Sequence, residues 1–141
     1  GAYAELLSHE MVRSIKDVYR DRKFDSVTCV PMHKDTLRKR GYNQAELLAK
    51  ECARILGIEY ADLLVKTKKN KTQHSIKAAE RAKNVIGVYS PINKNLIKGK
   101  RILIIDDIIT TGSTLGECAR ILNKCKCGEI CCCTLCTSLL I

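Results

Sequence analysis

The 141-residue chain has few aromatic residues: one Phe, five Tyr and no Trp, or 4%. Any core must therefore be aliphatic. Long apolar runs are also missing. The strongest, Ile102–Ile105 and Ile130–Cys133, fall far short of the ~20 residues a membrane helix needs. The N-terminal stretch is charged and amphipathic, unlike the apolar segment of a secretory signal. No Gly-x-x-x-x-Gly-Lys-Ser/Thr loop occurs, which argues against an NTPase. A membrane protein, a secreted disulfide knot and a disordered tail are all disfavoured, and a cytoplasmic location is expected. The chain opens at Gly1 without Met and is read as a fragment of a longer one.

What is present fits one domain over residues 1–141, with 45% hydrophobic residues to fill its core. Nine cysteines are an odd number and poorly spaced for a disulfide framework. Cys29 and Cys52 stand alone, Cys118 and Cys125 lie in a helical pattern, and Cys131, Cys132, Cys133 and Cys136 fall in a strand-like run. They read as small apolar residues in a reducing compartment. Cys125-Lys126-Cys127 and Cys133-Thr134-Leu135-Cys136 resemble metal spacings. However, cysteines inside a strand point poorly toward one tetrahedron. The net charge of +10 favours a polyanionic ligand: phosphate, nucleic acid or both.

Periodicity predicts an amphipathic helix through Tyr3, Leu7, Met11, Ile15 and Val18, broken by Asp25-Ser26. Val27–Pro31 reads as a buried strand, followed by a polar loop from Met32 to Tyr42. Asn43 to Glu46 looks like a helix cap, with Ala45, Leu48, Cys52 and Ile55 on one face and Gly57 as the stop. Leu63–Val65 and Val85–Tyr89 are β-like, and Asn93–Lys100 is a turn. Ile102–Ile105 reads as a parallel strand buried on both faces. Thr114 to Glu117 reads as a second capping box, and Ile130–Thr137 as a last strand. This alternation predicts an α/β fold with a mostly parallel central sheet flanked by helices.

The most informative segment is Asp106-Asp107-Ile108-Ile109-Thr110-Thr111-Gly112-Ser113-Thr114. A buried strand delivers two acids to its C-terminal edge, where open α/β sheets bind ligands. A hydroxyl-rich loop with Gly112 then enters a helix N-terminus and can aim several N–H groups at one phosphate. The acids would repel a bare phosphate, but they suit sugar hydroxyls or a divalent cation. Together they read as a sugar-phosphate site. A receiver domain can begin with a similar strand, but only 34 residues follow Asp107, too few for that fold. The bland alternative is a strand with solvated acids and a capped helix.

This segment resembles the phosphoribosyl pyrophosphate (PRPP) motif of type I phosphoribosyltransferases. Val30-Pro31-Met32-His33-Lys34, Arg38 to Gln44, and Gln73, Arg81 and Asn84 are similar to the ComF/GntX, or competence protein F, branch. The resemblance runs from Tyr3 to Thr137 and implies a phosphoribosyltransferase-type fold with a basic mobile lid. It also implies that the chain begins just after the family's N-terminal zinc module. By this resemblance Asp106 and Asp107 hold the ribose hydroxyls, directly or through Mg²⁺. Thr110, Thr111, Gly112, Ser113 and Thr114 cradle the 5′-phosphate. Met32, His33 and Lys34 occupy the place of the pyrophosphate loop, and Arg38 and Arg40 neutralise pyrophosphate. Lys66, Lys68, Gln73, Arg81 and Asn84 belong to the lid. Homodimers are common among relatives.

One departure concerns proton transfer. Purine-using relatives often place an Asp general base where this chain has Thr110. His33 and His74 are the candidates left, each equally readable as a solvated loop residue. A second departure, Lys124 to Gly128, replaces a Gly-Ala turn of many relatives. Two readings stay open: a Mg²⁺-dependent phosphoribosyl transferase, or a PRPP or nucleotide sensor that grips single-stranded DNA during DNA uptake. The basic clusters at Lys34 to Arg40 and Lys66 to Lys83 serve either reading, and each is also readable as a solvated face. Tyr42 is the one aromatic among them.

Overall fold

In the computed structural model, residues 2–68, 86–107 and 112–134 are described. The elements in chain order are α1 (Ala2–Tyr19), β1 (Ser26–Cys29), α2 (Lys34–Arg40), α3 (Gln44–Leu56), β2 (Glu59–Tyr60), β3 (Leu64–Lys66), β4 (Tyr89–Pro91), a 3-10 turn (Lys94–Leu96), β5 (Arg101–Asp106), α4 (Ser113–Lys124) and β6 (Glu129–Thr134). The central sheet has the order β2-β1-β5-β6 with every described pairing parallel. β3 and β4 form a separate antiparallel ribbon.

β5 organises the molecule because its aliphatic run serves both faces. Leu103 and Ile105 pack with Met11 and Ile15 of α1 and Leu48 and Cys52 of α3. Ile102 and Ile104 pack with Leu115, Cys118 and Leu122 of α4 and with Leu64 and Tyr89 of the ribbon. The period-2 alternation of a strand thus splits one apolar run between two cores. The cysteines follow the same rule: Cys131 and Cys133 join the first cluster and Cys132 the second. Cys29, Cys52 and Cys118 are buried, and burial pushes the Cys29 and Cys52 thiols up to about 12. Cys136 lies outside the described residues.

Several elements differ from the sequence reading. The buried face of α1 runs through Met11, Val12 and Ile15, with Leu7 and Tyr19 packed against it. Val18 is 71% exposed, because the stripe continues from Ile15 at i+4 rather than i+3. α1 also ends at Tyr19, well before Asp25. The expected loop from Met32 to Tyr42 contains α2, which buries none of its residues and so leaves no apolar period to read. Local chemistry defines it instead: His33 caps its start, and Gly41, at φ 84°, closes it. Thr114 is not the cap of α4. The helix begins at Ser113, two residues earlier than a Thr114 cap would give, behind Gly112, which is left-handed at φ 78° and gives no side-chain cap. The expected strand at Val85–Tyr89 begins only at Tyr89, with Val85 outside the described residues. The last strand begins at Glu129 and is described to Thr134; residues 135–137 lie outside that range.

Candidate functional site

β1 leads through α3 to β2 on one side of the sheet, whereas β5 and β6 lie on the other. The chain order therefore reverses between β1 and β5, and a crevice opens beyond their C-terminal ends. The Val30 N–H donates to Ile105 O at 3.0 Å and carries the β1–β5 ladder to the lip of that crevice. A cleft of about 250 Å³ lies here. Val30, Pro31, Met32 and His33 border it from the exit of β1, Asp106 and Asp107 from the exit of β5, and Thr114 from α4.

Asn43 holds the β1 side in place. Its Oδ1 accepts the Ala45 N–H at 3.0 Å and caps α3, while its Nδ2 donates to Val30 O at 3.2 Å. One buried side chain thus ties the strand exit to the helix that follows. His33 Nδ1 accepts the Asp35 N–H at 3.1 Å, so this ring nitrogen serves as the cap of α2 and Nε2 is the ring nitrogen not used by the cap.

Asp106 is only 9% exposed, and its Oδ1 accepts the Asp107 N–H at 2.9 Å. Burial first, then the neighbouring Asp107, pushes its carboxyl up to about 7. Lys66 approaches from β3, with Nζ 5.7 Å from the centre of the Tyr89 ring. Burial holds its ammonium below the usual lysine range, partly opposed by the nearby Asp106. Burial raises the Tyr89 phenol above the ordinary tyrosine value, with Thr114 beside it opposing the shift. The cleft therefore sets acids on its floor beside a cation and a hydroxyl-bearing helix start.

Of the residues singled out in the sequence, Met32, His33, Arg40, Lys66, Asp106, Asp107 and Thr114 line this cleft. Gly112 and Ser113 lead into α4 beside it. Lys34 and Arg38 belong to α2 and are exposed, outside the lining. Lys68 is exposed just past β3, and Lys66 sits within that strand. Thr110, Thr111, Gln73, His74, Arg81 and Asn84 lie outside the described residues. Tyr89, Asn43 and Thr36 also line the cleft without having been assigned to it. The first two carried signals of another kind, a strand residue and a helix cap. Thr36 carried none.

Two carboxylates do not make a metal cage, and among the described residues no group of three or more His, Cys, Asp or Glu gathers as one. No described helix is long and apolar enough to cross a membrane.

Comparison with known proteins gives a consistent result. The model of the phosphoribosyl transferase domain matches residues 43–139. The chain is 35% identical over 121 residues to competence protein F of Haemophilus influenzae, covering 84% of this chain and 53% of that protein. It is 30% identical over 101 residues to DNA utilization protein YhgH of Escherichia coli K12, covering 71% and 44%. The chain thus spans about half the length of these relatives. Among solved structures, adenine phosphoribosyltransferase of Saccharomyces cerevisiae superposes with a TM-score of 0.58 at 16% identity, over 92% of this chain and 64% of that one. The sheet order, the crevice between β1 and β5 and these matches agree: the chain belongs to the phosphoribosyl transferase domain family, in its competence protein F group.

Proposed function

We propose that the cleft binds PRPP and that the domain transfers or recognises its phosphoribosyl group. The observation that carries this reading is the meeting of Asp106 and Asp107 with the Gly112–Thr114 start of α4 at the β1–β5 crevice. In this reading the two carboxylates accept the ribose hydroxyls. The loop ending at Thr114 gives N–H and O–H donors to the 5′-phosphate. Arg40 and Lys66, both on the cleft lining, neutralise the diphosphate.

The residues present fit Mg²⁺. It is a hard cation that binds through one or two carboxylates plus substrate phosphates rather than an all-protein cage. Asp106 and Asp107 would hold it, and a cation there offsets both the burial and the neighbouring negative charge that raise the Asp106 carboxyl. When bound, it supplies charge neutralisation to the departing diphosphate. In transfer, the C1–O bond to diphosphate breaks as a nitrogen of the acceptor bonds to C1 and releases its proton. Thr110 cannot take that proton near neutral pH, which leaves His33 Nε2 as the described candidate.

Thermal shift with PRPP and Mg²⁺ tests the reading. A ligand at 100 times its Kd adds about 2.7 kcal/mol of stability, so a rise of several degrees is expected. The Asp106→Asn/Asp107→Asn double variant should lose that rise. No shift in the wild type, or an equal shift in the variant, overturns the assignment. Diphosphate release across a panel of bases then separates transfer from recognition.

A second reading is supported by the names of the relatives, a competence protein and a DNA utilization protein. Lys34, Arg38, Lys39 and Arg40 line exposed α2, and the half-exposed Tyr42 follows it. This surface would track a single-stranded DNA backbone. Its binding should weaken steeply with salt, and salt-insensitive or absent binding removes the reading.

A further inference from the structure

At the opposite edge of the sheet, beside the start of β1, lies a cavity of about 350 Å³ between the end of α1, the segment before β1 and the end of α3. This volume falls in the range of small-molecule sites. Its floor is apolar: Ile15, Phe24, Leu56 and Ile58. One wall is fixed in advance. The Tyr19 hydroxyl donates to Cys132 O at 2.8 Å and accepts the Cys132 N–H at 3.2 Å. The Tyr19 ring meets Phe24 edge to face at 5.9 Å between centroids.

The rim is cationic. Lys16, Arg20, Arg22 and Lys23 border the cavity. Arg22 is paired with Glu129, whereas Lys16, Arg20 and Lys23 have no carboxylate partner among the described residues. Asp17 and Asp21, the acids of this segment, do not border it.

Backbone geometry adds an independent observation. Arg20 follows the last residue of α1, and its N–H donates to Lys16 O at 3.0 Å. This is the helix-closing position that Gly usually fills. Arg20 holds it at φ 44°, in the left-handed region where side chains are disfavoured. Such departures cluster at functional sites, and this one keeps a guanidinium on the rim where glycine would leave none.

We propose that this cavity is a second ligand site, separate from the β1–β5 cleft, for an organic anion with a planar apolar body. The apolar floor and aromatic wall take the body. Lys16, Arg20 and Lys23 take the charge. A free inorganic anion gains nothing from the floor, and a neutral ring gains nothing from the rim.

The probe is 1-naphthyl phosphate, titrated into the 141-residue chain and followed by amide-resolved NMR and calorimetry. Shifts are expected at residues 16–24 and 56–58. Neutral 1-naphthol and inorganic phosphate should each bind about tenfold more weakly or worse, the equivalent of about 1.4 kcal/mol. Lys16→Glu/Lys23→Glu should abolish these shifts alone, leaving any shifts at Met32 or Asp107 intact. Arg20→Gly should raise the melting temperature and weaken binding together, a pairing that a purely structural arginine does not give. Shifts absent or confined to the cleft, equal binding of naphthol, or unchanged affinity in Arg20→Gly would each overturn the proposal.

Discussion

The Glu117 carboxylate accepts the Gly87 N–H at 2.9 Å across the boundary between α4 and the β3–β4 ribbon. Glu117 is only 6% exposed and is also bound by Arg120 Nε and Nη2 at 2.6 and 2.9 Å. Arg120 above all, with Gly87 adding, holds its carboxyl below the usual glutamate range. One helical turn earlier Thr114 borders the same cleft as Tyr89 of that ribbon. The Glu117–Gly87 bond thus ties α4 to the segment entering the ribbon that brings Lys66 to the cleft.

Glu117→Ala should remove this tie and cost about 1.5–3 kcal/mol, the range for hydrogen bonds to a charged group. Glu117→Gln keeps an acceptor for Gly87 and should lose less. Guanidinium denaturation gives the ordering, and equal losses in the two variants would contradict the role of the Gly87 contact.

Asn43 does two jobs, so its replacements should separate them. Asn43→Ser keeps a cap for α3 but cannot reach Val30 O, and about 1 kcal/mol should be lost. Asn43→Ala also loses the cap, for a total of about 2 kcal/mol. Urea midpoints report both values. A serine variant as stable as the wild type would show that the Val30 contact contributes nothing.

Two glycines should respond in opposite directions. A Cβ at Gly128 would stand 2.8 Å from Gly99 O, in a crossing where the Gly128 N–H already donates to Lys100 O at 2.7 Å. Backbone cannot yield as a side chain can, and Gly128→Ala should cost about 1–3 kcal/mol. Gly116 lies inside α4 with open space around it, so Gly116→Ala should add about 0.5–1 kcal/mol. Thermal melts of the two variants check the signs.

The Asp25 carboxylate accepts three hydrogen bonds from Arg101: N–H at 2.7 Å, Nε at 3.2 Å and Nη2 at 3.1 Å. Arg101 lowers its carboxyl from the ordinary 3.8 to about 2. The folded group ionises more readily than the unfolded one, so its contribution is complete above the ordinary value. It is lost as pH falls toward about 2. The difference in melting temperature between wild type and Asp25→Asn should hold steady from neutral pH to about 4 and close below it. A gap unchanged at pH 2 would refute the assignment.

Much of this could be read from the residues. Four branched aliphatics announced β5, Gly57 announced the end of α3, and the segment from Asp106 to Thr114 announced both the site edge and the family. Elements held by local chemistry without burial were less legible. α2 has no apolar face, and Thr114 does not cap α4 because the cap position falls two residues earlier, at Gly112. The basic run that includes Lys66 did not show which of its members would line the cleft, since charge runs carry no such information.

By itself, then, the sequence determined the α/β class, the buried strand and the acids at its end. These follow from local periodicity and from motifs that lie within a few residues of one another. Tertiary structure decided which distant residues share a volume. It set Asp106 beside Lys66 and Tyr89 and left Lys34 and Arg38 outside the cleft lining. It also left the cations at the end of α1 around an apolar floor. Such meetings depend on strand order and crossover, which place residues dozens of positions apart in contact, and no short-range pattern encodes them.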